Sequence, residues 1–193
     1  MKKTLILTGL LLSITLSASA QKKKTTIDSP NNGSSYFGLT TGVNNIGGFA
    51  GLTFEAPFTP TFSGKVGLGI GGWGYKFALA GKYYKEFPTS WSFGLGYSTA
   101  SGAKNIDLML DVNGNQQQVK MNLDRSHNLD FVIGKAWGGK VRFGIEFGYS
   151  VPVAGGTYAP VDKTVVLSTT SKRVLDVLSP SGLIFGMGLG FRL

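Results

Sequence analysis

Ser126, His127 and Asp130 place a hydroxyl, an imidazole and a carboxylate in one short stretch, the side-chain types from which a hydrolase builds nucleophile, base and orienting acid. Their spacing works against that chemistry. Adjacent residues on an extended strand point to opposite faces, so the Ser126 hydroxyl and the His127 ring are expected apart. The chain holds one histidine and no cysteine, which excludes His/Cys metal clusters and disulfides. Gly67, Gly69 and Gly72 match G-x-G-x-x-G, yet no helical pattern follows them. Asp111 and Asn113 begin like a calcium loop that lacks its central glycine and terminal glutamate. No catalytic residue, cofactor or metal is therefore expected, with His127 the one serious candidate for catalysis.

A second set of reactive side chains shares a different setting. Glu55, Lys65, Lys82, Asp130, Arg142, Glu146 and Arg192 alternate with large apolar residues along the chain and share their parity with glycines and serines. In "VRFGIEFGYSV", Val141, Phe143, Ile145, Phe147, Tyr149 and Val151 lie on one face of a strand, opposite Arg142, Gly144, Glu146, Gly148 and Ser150. "WSFGLGYSTAS" and "SGLIFGMGLGFRL" repeat the pattern. Weaker copies run through 35–43, 49–56, 62–72, 75–85 and 127–137, making eight strands with 91–101, 141–151 and 181–193. Prolines 30, 57, 60, 88, 152, 160 and 180 fall in the expected tails, turns and loops, outside strand interiors.

A soluble sheet would bury the large face and hydrate the other, but a glycine-rich face is a poor hydrated surface. A small barrel in lipid inverts the arrangement: large apolar residues cover the outside and small ones fit the lumen. The predicted fold is all-β, a transmembrane antiparallel up-and-down β-barrel of eight strands, with ten as the alternative. In this register the seven charges lie inside the barrel, paired as a network that plugs it. Arg142 is expected to find Glu146 or Asp130. Trp73, Tyr75, Phe77, Tyr97 and Tyr149 would ring one membrane interface, with parity leaving an inward position open to Trp73, and Phe37, Phe62, Tyr83, Trp91, Trp137 and Phe191 the other.

The ten-strand alternative comes from "IDLMLDVNGNQQQVKMNLDR", two alternating arms around a hairpin signal at Asn113 and Gly114. Each arm is short for a membrane strand and carries no aromatic anchor, so an external hairpin is favoured. The second long loop contains "TVVLSTTSKRVLDVL", which periodicity leaves open between hairpin and helix.

The amino terminus reads as an export signal. Lys2 and Lys3 precede an apolar run from Leu5 to Leu16 and the small residues Ala18, Ser19 and Ala20, which predicts cleavage after Ala20. The domains are then a signal peptide at 1–20, a polar periplasmic tail at 21–34 and a barrel at 35–193. The formal charge of +9 suits anionic lipid better than nucleic acid in an exported protein.

On this pattern residues 35–193 resemble the small eight-stranded outer-membrane barrels, the group that includes the OmpA transmembrane domain, OmpX and the opacity-type adhesins. The resemblance implies a cell outer-membrane location, a monomer and lipopolysaccharide as surroundings. It also implies a carboxy-terminal signal for the barrel-assembly machinery, here Leu189, Phe191 and Leu193. Some barrels of this kind are lipid A acylases or deacylases using His and Ser, which is what draws attention to His127. The function expected is surface binding, adhesion or envelope integrity through loops 101–126 and 152–180, where an extracellular ligand would bind. Arg125, Lys172 and Arg173 are the expected lipopolysaccharide contacts. A small ion or solute channel is the alternative.

Overall fold

In the computed structural model, residues 33–112 and 114–193 are described; the expected signal peptide, most of the polar tail and Asn113 lie outside them. Five strands follow in sequence: β1 (Tyr36–Val43), β2 (Ala50–Pro57), β3 (Phe62–Gly71), β4 (Gly74–Tyr84) and β5 (Trp91–Ala100). Then come β6 (Ala103–Val112), β7 (Asn115–Leu123), β8 (Ser126–Gly138), β9 (Val141–Gly155), β10 (Tyr158–Pro160), the helix α1 (Thr169–Leu178) and β11 (Gly182–Arg192). Eight of the strands close an antiparallel barrel in the order β1-β11-β9-β8-β5-β4-β3-β2. Strands β6 and β7 instead join β10 in a separate three-stranded sheet, so the ten-strand alternative does not hold.

Period-two alternation sets the barrel register. Leu39, Leu52, Leu68, Phe77, Leu95, Phe131, Phe147 and Leu189, one from each barrel strand, are 45% to 58% exposed on the outside. Between them on the inner face stand small or charged residues such as Ser63, Ala78, Ser92, Asp130, Ser150 and Arg142, all buried. A one-residue slip would exchange the two faces, which is why each strand keeps its register.

Every barrel strand pairs with its neighbours in sequence once two excursions are set aside, residues 101–125 between β5 and β8 and 156–181 between β9 and β11. Both leave from the same rim, called here the cap rim. The opposite base rim carries the connections 58–61, 85–90 and 139–140. Strand β9 runs beyond the predicted 151 to Gly155 and takes in Pro152, contrary to the expectation that all prolines avoid strand interiors. Pro152 pairs with Asn128 where the register shifts between His127 and Asn128, an irregularity that tolerates a residue without an N–H.

The excursions fold together. The hairpin turns at Gly114, whose φ of 85° suits glycine, with Val112 opposite Asn115. Tyr158, Ala159 and Pro160 add β10 to the free side of β7. The segment left open in the sequence is a helix, with the Ser168 hydroxyl accepting from the Ser171 amide at its start. Leu110, Val112, Val119, Met121 and Leu123 from the hairpin, with Leu167 and Leu175, bury a core over Ala100 and Trp73 at the cap rim. Of the two positions open to Trp73, interface ring or interior, it takes the interior one. It is 1% exposed beneath the cap and meets Tyr158 edge to face.

Candidate functional site

The lumen is organised in tiers, beginning at the base. Glu55 at the end of β2 and Arg142 at the start of β9 meet across the barrel, with Arg142 Nη2 donating to Glu55 Oε2 at 2.5 Å. The other carboxylate oxygen accepts from the Ser63 hydroxyl at 2.7 Å and the Tyr84 hydroxyl at 2.5 Å. The Arg142 guanidinium lies over the Tyr36 ring, 4.3 Å from its centroid, and 5.7 Å from that of Phe87. Tyr36, Tyr84 and Phe87 pack edge to face, and Phe87 enters from the base-rim connection between β4 and β5. This tier satisfies a buried carboxylate with charge-assisted and neutral donors together, the condition under which a buried ion pair is tolerated.

Above it, Lys65 from β3 and Lys82 from β4 both donate to the same oxygen of Glu146 from β9, at 2.6 and 2.8 Å. Near the cap rim, Asp130 accepts from the Ser150 hydroxyl at 2.5 Å and lies 4.0 Å from the Lys76 ammonium. Lys76 also donates to the Asn44 carbonyl at 2.7 Å. Ser98, Ser126 and Asn128 complete this level, each fully buried, with Ser126 donating to Asn128 at 2.9 Å.

Six of the seven charges expected inside stand there, and the partners differ from expectation. Arg142 pairs with Glu55, not with Glu146 or Asp130, because those two acids are held by Lys65, Lys82 and Ser150 on higher levels. Arg192 shares the inward parity of β11 but is exposed at the base rim, opposite Tyr36 in the β1 ladder, where the strand runs out. Lys76 was missed, although it shares parity with Lys82 six residues on.

The inner glycines of β3 make room for chain. Residues 44–48, between β1 and β2, turn into the barrel mouth, where the Asn45 side chain accepts from the Gly47 amide at 2.8 Å. A Cβ on Gly67 would sit 2.4 Å from the Ile46 carbonyl oxygen, and one on Gly69 would overlap that of Gly47. The G-x-G-x-x-G spacing is therefore a packing pattern: Gly67 and Gly69 lie under this loop, and Gly72 lies against the Leu178 carbonyl at the end of α1.

Ser126 and His127 face apart, as adjacent strand residues must. Ser126 is buried in the lumen, whereas the His127 ring stacks on Tyr97 outside, with its Nδ1 2.5 Å from the tyrosine hydroxyl. Among the described residues no group of three or more His, Cys, Asp or Glu side chains is gathered to hold a metal.

On the outer surface at the base rim, Phe37, Phe62, Tyr83, Trp91, Trp137 and Phe191 are exposed. Lys135 stands among them, its ammonium 5.2 Å from the Trp91 centroid and 5.9 Å from that of Trp137. Leu189 and Phe191 share this apolar face, while Leu193 follows β11 and ties back to β1 through a bond from its amide to the Ser35 carbonyl. In the cap, Arg125 precedes β8 and Lys172 and Arg173 lie on α1, all three exposed. The Tyr158 hydroxyl donates to Asp176 at 3.0 Å, and burial together with that carboxylate raises its pKa above the ordinary tyrosine value.

Comparison with protein-family profiles, with curated proteins and with solved structures returns no match.

Proposed function

We propose that the chain is an integral outer-membrane β-barrel, exported by a cleaved signal, with a plugged lumen and a folded cap that faces outward and carries its activity in surface binding or envelope integrity. The observation that carries this reading is the outer wall. All eight strands turn large apolar side chains outward while the interior holds the charges. A soluble barrel would do the reverse, and a soluble monomer rarely exposes so continuous an apolar surface. The aromatic ring at the base rim, with Lys135 between two tryptophans, suits a membrane interface where rings and a snorkelling ammonium meet headgroups. Likeness to the small eight-stranded outer-membrane barrels is part of the proposal and rests on the same pattern.

On this reading the base rim is periplasmic and the cap is extracellular. Arg125, Lys172 and Arg173 would then be available to anionic lipopolysaccharide, and an extracellular ligand would meet the cap. The protein acts as a monomer, without cofactor and without catalysis. The opposed directions of Ser126 and His127 support the last point. A small channel is the competing function. The inward loop 44–48 and the Tyr36, Tyr84 and Phe87 tier favour a plugged barrel over it.

Extraction of the expressed protein from outer membranes, followed by electrophoresis with and without boiling, tests the placement. A band that changes mobility only after boiling is expected of a closed barrel in detergent. Recovery in the soluble fraction, with no shift on heating, would sink the membrane reading.

A further inference from the structure

Between the base tier and the lysine tier lies a cavity of about 50 Å³. It is roomy enough for one or two small species, since a single water needs only about 10–15 Å³ of such space. Gly38, Gly186, Gly188 and Gly190 form part of its wall. At Gly144 an added Cβ would meet nothing nearer than the Lys135 carbonyl at 3.8 Å, so this glycine opens toward unfilled space.

The charges around the cavity do not balance. Lys65, Lys82 and Arg142 line it against only Glu55 and Glu146. Lys135 lines it as wall alone, because its ammonium lies between Trp91 and Trp137 on the outer surface. Glu55 is committed to Arg142, and one oxygen of Glu146 serves both lysines. The remaining acid of the lumen among the described residues, Asp130, is engaged by Ser150 and Lys76 near the cap rim. An uncompensated buried ammonium is costly, and among the described residues the lumen offers no third carboxylate at this level.

We infer that this cavity is a binding site for one small monovalent anion of the halide class, held by Lys65 and Lys82 and enclosed by Arg142. The anion completes the charge balance, and the inner glycines provide its volume. The site goes beyond the surface role proposed above and does not depend on what the cap binds.

The test uses the full chain refolded in detergent, with chloride or bromide compared against gluconate, which is too large for the cavity, at equal ionic strength. Occupancy at many times the dissociation constant stabilises the native state, so the wild type should melt about 5 °C higher in halide. Lys65→Met leaves two cations against two carboxylates and should remove the difference. Gly144→Val fills the cavity without changing charge and should remove it as well. Crystals grown with bromide should show an anomalous peak within hydrogen-bond reach of the Lys65 and Lys82 ammonium groups.

Equal melting of the wild type in halide and gluconate would overturn the site. So would a halide effect that survives in both variants, or bromide on the protein surface alone as an adventitious ion only. Should one variant fail to refold, the other and the anomalous map still decide. A protein that shows the halide effect without heat modifiability would leave this site standing and remove the membrane reading.

Discussion

Arg142 and Glu55 are 87 residues apart in sequence and 2.5 Å apart across the barrel. The contact joins β9 to β2, which are not neighbours in the sheet, so it braces opposite walls. Arg142→Ala takes away the one cation that hydrogen-bonds the buried Glu55 carboxylate among the described residues, leaving it the Ser63 and Tyr84 hydroxyls as direct partners. A loss of about 3–5 kcal/mol is expected for breaking one side of a buried pair. The urea midpoint of the protein refolded in detergent measures it, and an unchanged midpoint would remove the base tier as a stabilising element.

Replacement of 106–122 by a short Gly-Ser turn should leave the barrel intact. The β5–β8 ladder runs from Trp91 with Lys135 to Ala100 with Ser126 and uses no residue of the hairpin. What the deletion strips is Leu110, Val112, Val119 and Met121 from above Trp73. Tryptophan emission should shift to the red while heat modifiability persists. Loss of the heat-modifiable form would mean that barrel closure depends on the cap.

Gly67→Val is expected to unseat the loop 44–48 from the cap-side mouth while the base tier keeps the lumen closed. Its side chain would occupy the place of the Ile46 backbone, so the loop 44–48 has to give way, since the three nearest opposing atoms belong to Ile46. In planar bilayers both proteins should be silent, and limited proteolysis should cleave within 44–48 in the variant alone. A folded variant as resistant there as the wild type would contradict a loop seated on Gly67, and a conducting wild type would contradict a plugged lumen.

The Tyr158–Asp176 contact gives the cap a pH dependence with a definite sign. Because the folded-state pKa of Tyr158 is raised, the stability it contributes is complete below the ordinary tyrosine value, about 10, and is lost as pH rises through the folded value. Proteolysis within 161–178 should therefore accelerate at alkaline pH. Tyr158→Phe should flatten the response, and an identical pH profile in that variant would assign the effect elsewhere.

The strands were legible because alternation of large and small residues is a local signal, repeated eight times with turn residues between. Charges inside the lumen could be read from parity, and Lys76 could have been read the same way from Lys82. Pairing could not. The partner of Arg142 depends on how far each strand is staggered around the closed sheet, a property of all eight registers together. Parity allowed Trp73 an inward position, but its full burial comes from a core that two excursions, far apart in sequence, build jointly above it. The helix α1 hid among valines and leucines that suit a strand equally well. The excess of inner glycines was visible from the start, but its causes, a loop folded inward over β3 and a cavity enclosed by several strands, lie on other parts of the chain.

The seam between β1 and β11 pairs Tyr36 through Val43 with Arg192 back to Phe185. These are the first and last strands of the barrel, so closure spans nearly the whole folded chain and carries the largest loop entropy of any strand pair in it. Until β11 arrives, β1 and β9 each present an open hydrogen-bonding edge. Everything earlier in the chain is an unzipped ribbon waiting for a clasp, and the protein's most vulnerable moment is the interval before its final strand docks.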